Sequence, residues 1–311
     1  MKQFITTLVV TFSMIFTILG QESAPKTDSI KYWTHKGTFA FTFSQVAFKN
    51  WAAGGENSIS GVTQLGYNFN YKKDKNSWDN RIDLGYGLIK QGDAKLFKSE
   101  DRLEFNSKYG RQISKSWHLA ALLGFRTQFA PGYDVKNREV KISDFMAPGY
   151  LSPSIGLDYK PNPKFSLYLS PIACRITFVL DDSLANQGAF GVKKAVYNAQ
   201  GVKIENSENT LFQLGALAKV RYESDIMENV RLSLGTELLS DYLNKPQNVI
   251  VNAIVQVNMK VNKYLSANLT VQGIYDDNIS LTTVDEKGEV IKDGPRVQWK
   301  QVFGAGLSFT F

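Results

Sequence analysis

The chain has 311 residues, 43% of them hydrophobic and 13% aromatic, with a formal net charge of +7 and a mean hydropathy of −0.22. That mean excludes a helical membrane protein but not a membrane barrel, whose strands alternate apolar and polar residues and so average near neutral. Lys72, Lys73 and Lys75 make a short polar turn rather than a basic patch, so nucleic acid is not an expected partner, and the single cysteine, Cys174, rules out an intramolecular disulfide.

At the N-terminus, Lys2 precedes a largely apolar run over 4–19 that turns polar at Gln21. This pattern predicts a cleaved signal peptide over residues 1–20, the run being short for a span of about 20 apolar residues. No cysteine lies at the junction, which argues against a lipoprotein anchor. Residues 21–35 are expected to form a short periplasmic segment and residues 36–311 an outer-membrane β-barrel.

From there the hydrophobic period is two. Strands are predicted near 37–47, 59–71, 78–89, 102–109 and 117–129, the third setting Ile82, Leu84, Tyr86 and Leu88 against Arg81, Asp83, Gly85 and Gly87. The second half continues near 151–159, 165–179, 212–222, 230–238, 249–261, 265–275 and 303–311. The parity of the 165–179 strand is open, because Pro171 interrupts it and proline in a strand marks an edge or a bulge. About twelve strands result, near the 9–11 residues that a tilted strand needs to cross a bilayer. Connections alternate between short (72–77, 110–116, 160–164, 223–229, 262–263) and longer (90–100, 130–148, 180–209, 276–296), with 242–247 breaking the trend. Short turns on one rim and long loops on the other predict a closed antiparallel transmembrane barrel with both termini on the periplasmic side.

Alternation alone does not say which face meets water. Aromatics gather where strands meet the short turns: Tyr71, Trp78, Tyr109, Trp117, Tyr159, Tyr222, Tyr264 and the terminal Phe311. Such a girdle suits a bilayer interface, where the ring is apolar and its N–H or O–H stays wet. The opposite face, rich in Gly, Ser and Asn with scattered charges, suits a lumen. Outer-membrane lipid, and the barrel-assembly machinery that reads a terminal aromatic strand such as Leu307, Phe309, Phe311, are the expected partners.

Residues 50–58, with Asn50, Trp51, Gly54, Gly55, Glu56 and Asn57, and the later 170–178 segment resemble the domain of unknown function 3078 family of exported Gram-negative proteins. The resemblance would cover roughly 30–311. It implies a barrel-like fold and lends no function. By itself Gly54-Gly55 reads as a tight turn, or as part of a plug or partner-binding loop.

Little in the sequence suggests chemistry. His118 falls on the lumen face, Cys174 in an apolar strand, and the Asp181-Asp182 and Asp276-Asp277 pairs in loops. No catalytic, metal or cofactor site is assigned, and the expectation is not an enzyme. The lumen charges say more: Arg81, Arg102, Lys108, Arg126, Lys219, Arg221, Arg231, Lys260 and Lys300 face inward with Asp83, Glu104, Asp158, Glu237 and Asp241, nine cations against five acids. Charges inside a barrel must be paired or hydrated. Either ion pairs plug the lumen, or it is a narrow channel with a mild anion preference. The functional expectation is a narrow channel for small hydrophilic solutes; the alternative is a non-conducting accessory barrel of an envelope complex.

Overall fold

The structure is a computed structural model that describes residues 32–47, 56–134, 137–279, 283–284, 290–292 and 294–311. The predicted signal peptide and Asn50, Trp51, Gly54 and Gly55 lie outside the described residues. The period-two runs form twelve long strands: β1 (Trp33–Val46), β2 (Ser58–Lys73), β3 (Asn76–Gln91), β4 (Phe97–Gln112), β5 (Trp117–Thr127), β6 (Gly149–Asn162), β7 (Phe165–Phe178), β8 (Thr210–Met227), β9 (Val230–Asp241), β10 (Val249–Lys260), β11 (Leu265–Tyr275) and β12 (Gln298–Thr310). Each pairs antiparallel with its sequence neighbours, and β12 returns to β1 to close the barrel. Closure pairs Thr38–Thr42 of β1 with Gly306–Thr310 of β12, so neither terminal strand is a wholly free edge. Beginning at Trp33, the barrel takes the last three residues of the predicted 21–35 segment.

The turns 74–75, 113–116, 163–164, 228–229 and 261–264 share one rim with both barrel ends, since Trp33 pairs with Tyr71 and Thr310 with Thr38. The loops 47–57, 92–96, 128–148, 179–209, 242–248 and 276–297 share the other. The 242–248 loop, which seemed to break the alternation, is a shorter member of the long-loop rim.

Apolar side chains point away from the axis: Phe43, Ile155, Ile172 and Phe303 are all more than half exposed. Asp158, Gln213 and Ser154 point inward and are buried. This is the polarity of a transmembrane barrel. The Pro171 question resolves as a bulge. Ala173 and Ser170 on β7 oppose Gly215 and Leu217 on β8, so β7 carries one extra residue. The Ser170 hydroxyl bonds the carbonyls of Ile155 and Ile172 across the gap, at 2.7 and 2.8 Å. Leu169, Pro171 and Ile172 are all exposed there, and Arg175 is turned into the lumen.

One expectation fails. The inner wall is not polar throughout: Ala120, Tyr168, Ala173, Leu217, Leu239 and Ile250 form a buried apolar patch with Leu122 against it. Strands come very close here because glycines remove the Cβ. A Cβ on Gly215 would sit 1.6 Å from the Ser240 carbonyl oxygen, and one on Gly156 2.1 Å from that of Leu169.

Candidate functional site: the lumen and its loop cap

Strand parity puts the inward charges in layers along the axis. Toward the short-turn rim, Lys108 lies 2.6 Å from Asp158, and Lys160 lies 3.3 Å from both Asp158 and Asp79. The Ser166 hydroxyl donates to the other Asp158 oxygen at 2.7 Å. Four charges from β3, β4 and β6 are thereby tied together, and His118 sits opposite Asp158 in the β5–β6 register. Nearby, Arg81 pairs with Asp83 at 2.5 Å, Lys219 with Glu237 at 2.8 Å and Arg231 with Asp225 at 2.8 Å, while Arg221 is held by Glu223. Toward the long-loop rim two pairs join strands that are not neighbours. Lys300 on β12 meets Glu100 on β4 at 2.5 Å, and Arg175 on β7 meets Asp276 just beyond β11 at 3.2 Å.

Of the charges expected to face inward, the structure pairs Arg81 with Asp83, Lys108 with Asp158 and Lys219 with Glu237, but the inventory was short. Lys160 lies just past the end of the predicted 151–159 strand, whereas Asp79 falls inside the predicted 78–89 strand with the parity of Arg81 and Asp83 and was left out. Glu100 lies just before the predicted 102–109 strand, with the parity of Arg102 and Glu104 and on the regular side of a second bulge, where Gly87 and Leu88 oppose Glu100 and Lys98. Arg175 lies beyond the Pro171 bulge. With Asp79, Glu100, Glu223 and Asp276 added to the acids and Lys160 and Arg175 to the cations, the surplus falls from four to two. Asp241 accepts from Gln213 at 3.3 Å. Lys260 closes the β10 end, and Arg102 and Arg126 make no ion pair among the described residues.

Between these layers is a cavity of about 190 Å3. Glu104, Arg126, Tyr150, Arg175, Lys219 and Glu237 line it from the wall, and Phe190 and Ile279 from the loops. Arg126 and Arg175 both lie against the Tyr150 ring, at 4.9 and 4.5 Å from its centroid. Phe190 is placed by the folded 179–209 loop. Asp181 caps α1 (Asp182–Gln187), accepting the Leu184 N–H at 2.9 Å, and Gly188 ends the helix in the left-handed region at φ 74°. Val179, Leu184, Ala185 and Val192 pack with Ala147 beneath Phe190 and Leu211. Lys141, from the 128–148 loop, binds Asp181 and, at 3.0 Å, Asp144. The hydrogen bonds to Asp181 and Asp144 push the Lys141 ammonium up to about 12, and the bond from Lys141 holds Asp181 below the usual carboxylate range.

On the outer wall, the predicted girdle residues Tyr71, Trp78, Tyr109, Trp117, Tyr159, Tyr222, Tyr264 and Phe311 ring the short-turn rim. Trp78, Tyr109, Tyr264 and Phe311 are exposed, and Trp33 joins them. Trp78 donates to Ser107 at 2.8 Å, Trp117 packs at a tilt against Tyr159 with ring centroids 4.9 Å apart, and Phe311 covers Gly37. Sequence reading missed a second set toward the long-loop rim, the exposed Tyr86, Tyr242 and Trp299, because it looked for aromatics only beside short turns. Glu56 and Asn57 pack against the 92–96 turn, where the Gly92 N–H donates to the Asn57 carbonyl at 2.7 Å. Among the described residues no three His, Cys, Asp or Glu side chains come together as metal ligands.

These features define a closed, polar-lined, twelve-stranded barrel with a loop-capped lumen. A family model described as Protein of unknown function (DUF3078) matches residues 43–133, so the resemblance drawn from residues 50–58 holds over that part of the chain, while the 170–178 segment lies outside the match. No curated protein matches the sequence. Among solved structures, the chain is similar to the COG4313 outer membrane channel from Pseudomonas putida F1, at 12% identity and a TM-score of 0.40, covering 94% of this chain and 100% of that one. It is also similar to the NanC porin, at 6% identity and a TM-score of 0.36, covering 88% and 98%. A third is the translocator domain of the autotransporter NalP from Neisseria meningitidis, at 9% identity and a TM-score of 0.31, covering 98% and 95%. Similarity at this level concerns the barrel outline alone.

Proposed function

We propose that the protein is exported, loses residues 1–20, and is inserted by the barrel-assembly machinery into a Gram-negative outer membrane, where it passes small polar solutes without enzymatic chemistry. The observation that carries this reading is the charged, half-polar cavity inside a barrel whose outer face is apolar. An apolar outer wall needs lipid around it, and a hydrated cavity lined by paired charges is what a narrow, selective path requires. The near balance of inward cations and acids replaces a general anion preference with selectivity by size and local charge. The test is purified full-length mature protein in planar bilayers, where stable conductance steps are expected.

A second reading rests on a different observation. Lys300–Glu100 and Arg175–Asp276 tie non-neighbouring strands together inside the lumen, which favours a barrel closed at rest that serves as an accessory subunit. Absence of conductance, together with a stoichiometric partner on detergent purification, would select that reading over the first.

A further inference from the structure

Most inward charges around the cavity are satisfied. Arg175 has Asp276, and Lys219 has Glu237. Two lining residues, Arg126 and Glu104, make no ion pair at bonding distance among the described residues, although Arg126 feels the charge of Glu237 and Glu104 that of Arg81. They face each other directly in the β4–β5 register, yet form no ion pair. Among the described residues Glu104 accepts the Asn106 amide at 2.9 Å and Arg126 rests on the Tyr150 ring. Leaving one cation and one anion unpaired in a confined space is costly unless a ligand or ordered water completes them. The rest of the wall is mixed: Asn106, Ser152, Asn252 and Gln298 contribute polar groups, and Phe190, Ile250, Ile274 and Ile279 make an apolar part.

We propose that this cavity binds a small zwitterion, an α-amino acid with an apolar side chain. Its carboxylate lies on the Arg126 guanidinium, whose forked donors suit a carboxylate. Its ammonium lies on Glu104, and its side chain lies under Phe190 and Ile279. The volume of about 190 Å3 leaves room for a ligand of that size. A carboxylic acid without the amine would leave Glu104 uncompensated, and an amine without the acid would leave Arg126 so. This inference names a ligand for the lumen proposed above as a solute path, and it is tested by binding rather than by conductance.

The experiment is calorimetric titration of the detergent-purified mature barrel with L-leucine, 4-methylpentanoate, isoamylamine and glycine. Leucine is expected to bind at least tenfold more tightly than the other three. Arg126→Gln and Glu104→Gln should each weaken leucine by tenfold or more. Phe190→Ala lies in the loop cap and leaves the barrel wall intact; it should weaken leucine while leaving glycine unchanged. Equal binding of 4-methylpentanoate, or leucine binding unaffected by Phe190→Ala and Glu104→Gln, overturns the proposal. Leucine binding without conductance would sink the channel reading and leave this site standing; conductance without leucine binding would do the reverse.

Discussion

The Lys300 ammonium on β12 lies 2.5 Å from a Glu100 carboxylate oxygen on β4, although β1, β2 and β3 separate those strands around the barrel. The pair is a strut inside the lumen near the long-loop mouth. Glu100 is 8% exposed and Lys300 45%, so the pair is partly screened and its loss costs less than that of a fully buried one, about 1–2 kcal/mol. Glu100→Gln with Lys300→Met should therefore leave the barrel folded, by its heat-modifiable gel mobility, and raise single-channel conductance. Unchanged or lower conductance in the double variant would show that the strut does not limit the path.

Gly215 gives a sharper stability test. A Cβ there would overlap the Ser240 carbonyl oxygen at 1.6 Å. Because the obstacle is backbone, the strand itself has to move. Overpacking of this kind costs about 1–3 kcal/mol and sometimes more. Gly215→Ala should lower the urea midpoint of the detergent-folded barrel, whereas Gly61→Ala, where a Cβ meets only the Phe41 ring at 3.8 Å, should not. Equal midpoints would mean that β8 and β9 relax freely at this crossing.

The contrast between these sites also explains what the sequence could convey. Strand count, closure and the inward set from Arg81 to Lys260 follow from a period of two, because parity is fixed wherever a strand is regular. Glu100 was missed because the predicted strand stopped at residue 102, and Arg175 because it lies beyond the Pro171 bulge, where one extra residue reverses parity. In the apolar inner patch, Leu217 has the inward parity of Gln213, Gly215 and Lys219 and was passed over because only the polar residues of that face were followed, while Pro171 left the phase of Tyr168 open. The cavity depends on Phe190 and Ile279, whose placement comes from loop packing, and no local period encodes that.

The two aromatic belts predict depth in a bilayer. Trp78 and Trp299 lie near opposite rims on the outer face, while Leu84 lies midway along β3. In single-tryptophan variants reconstituted into vesicles of brominated lipid, Trp78 and Trp299 should be quenched best by bromines high on the acyl chain. A tryptophan placed by Leu84→Trp should be quenched best by bromines near the chain end. Strong quenching of the Leu84→Trp variant by aqueous iodide would put water on the outer wall and refute the membrane reading.

The loop cap has a pH dependence set by Lys141 and Asp181. The Asp181 carboxyl is held below its ordinary value by the Lys141 hydrogen bond. Its contribution is therefore present above the unfolded aspartate value of about 3.9 and is lost as pH falls through the lower folded value. The Lys141 ammonium is pushed up to about 12 by Asp181 and Asp144, so its contribution is full below the unfolded lysine value of about 10.4 and lost as pH rises through the folded one. The latch is thus intact across the whole neutral range and opens first at the acid end. Hydrogen-exchange protection factors at Leu184 and Ala185 should be flat from about pH 5 to 9 and fall as pH drops below about 4. Lys141→Ala should lower them at pH 7 to near the acid-state value, because Asp181 then keeps only its backbone bonds to the helix start. If the alanine variant protects α1 as well as the parent does at pH 7, the cap is held by the apolar cluster of Val179, Leu184 and Val192 alone, and Lys141 does not act as a latch.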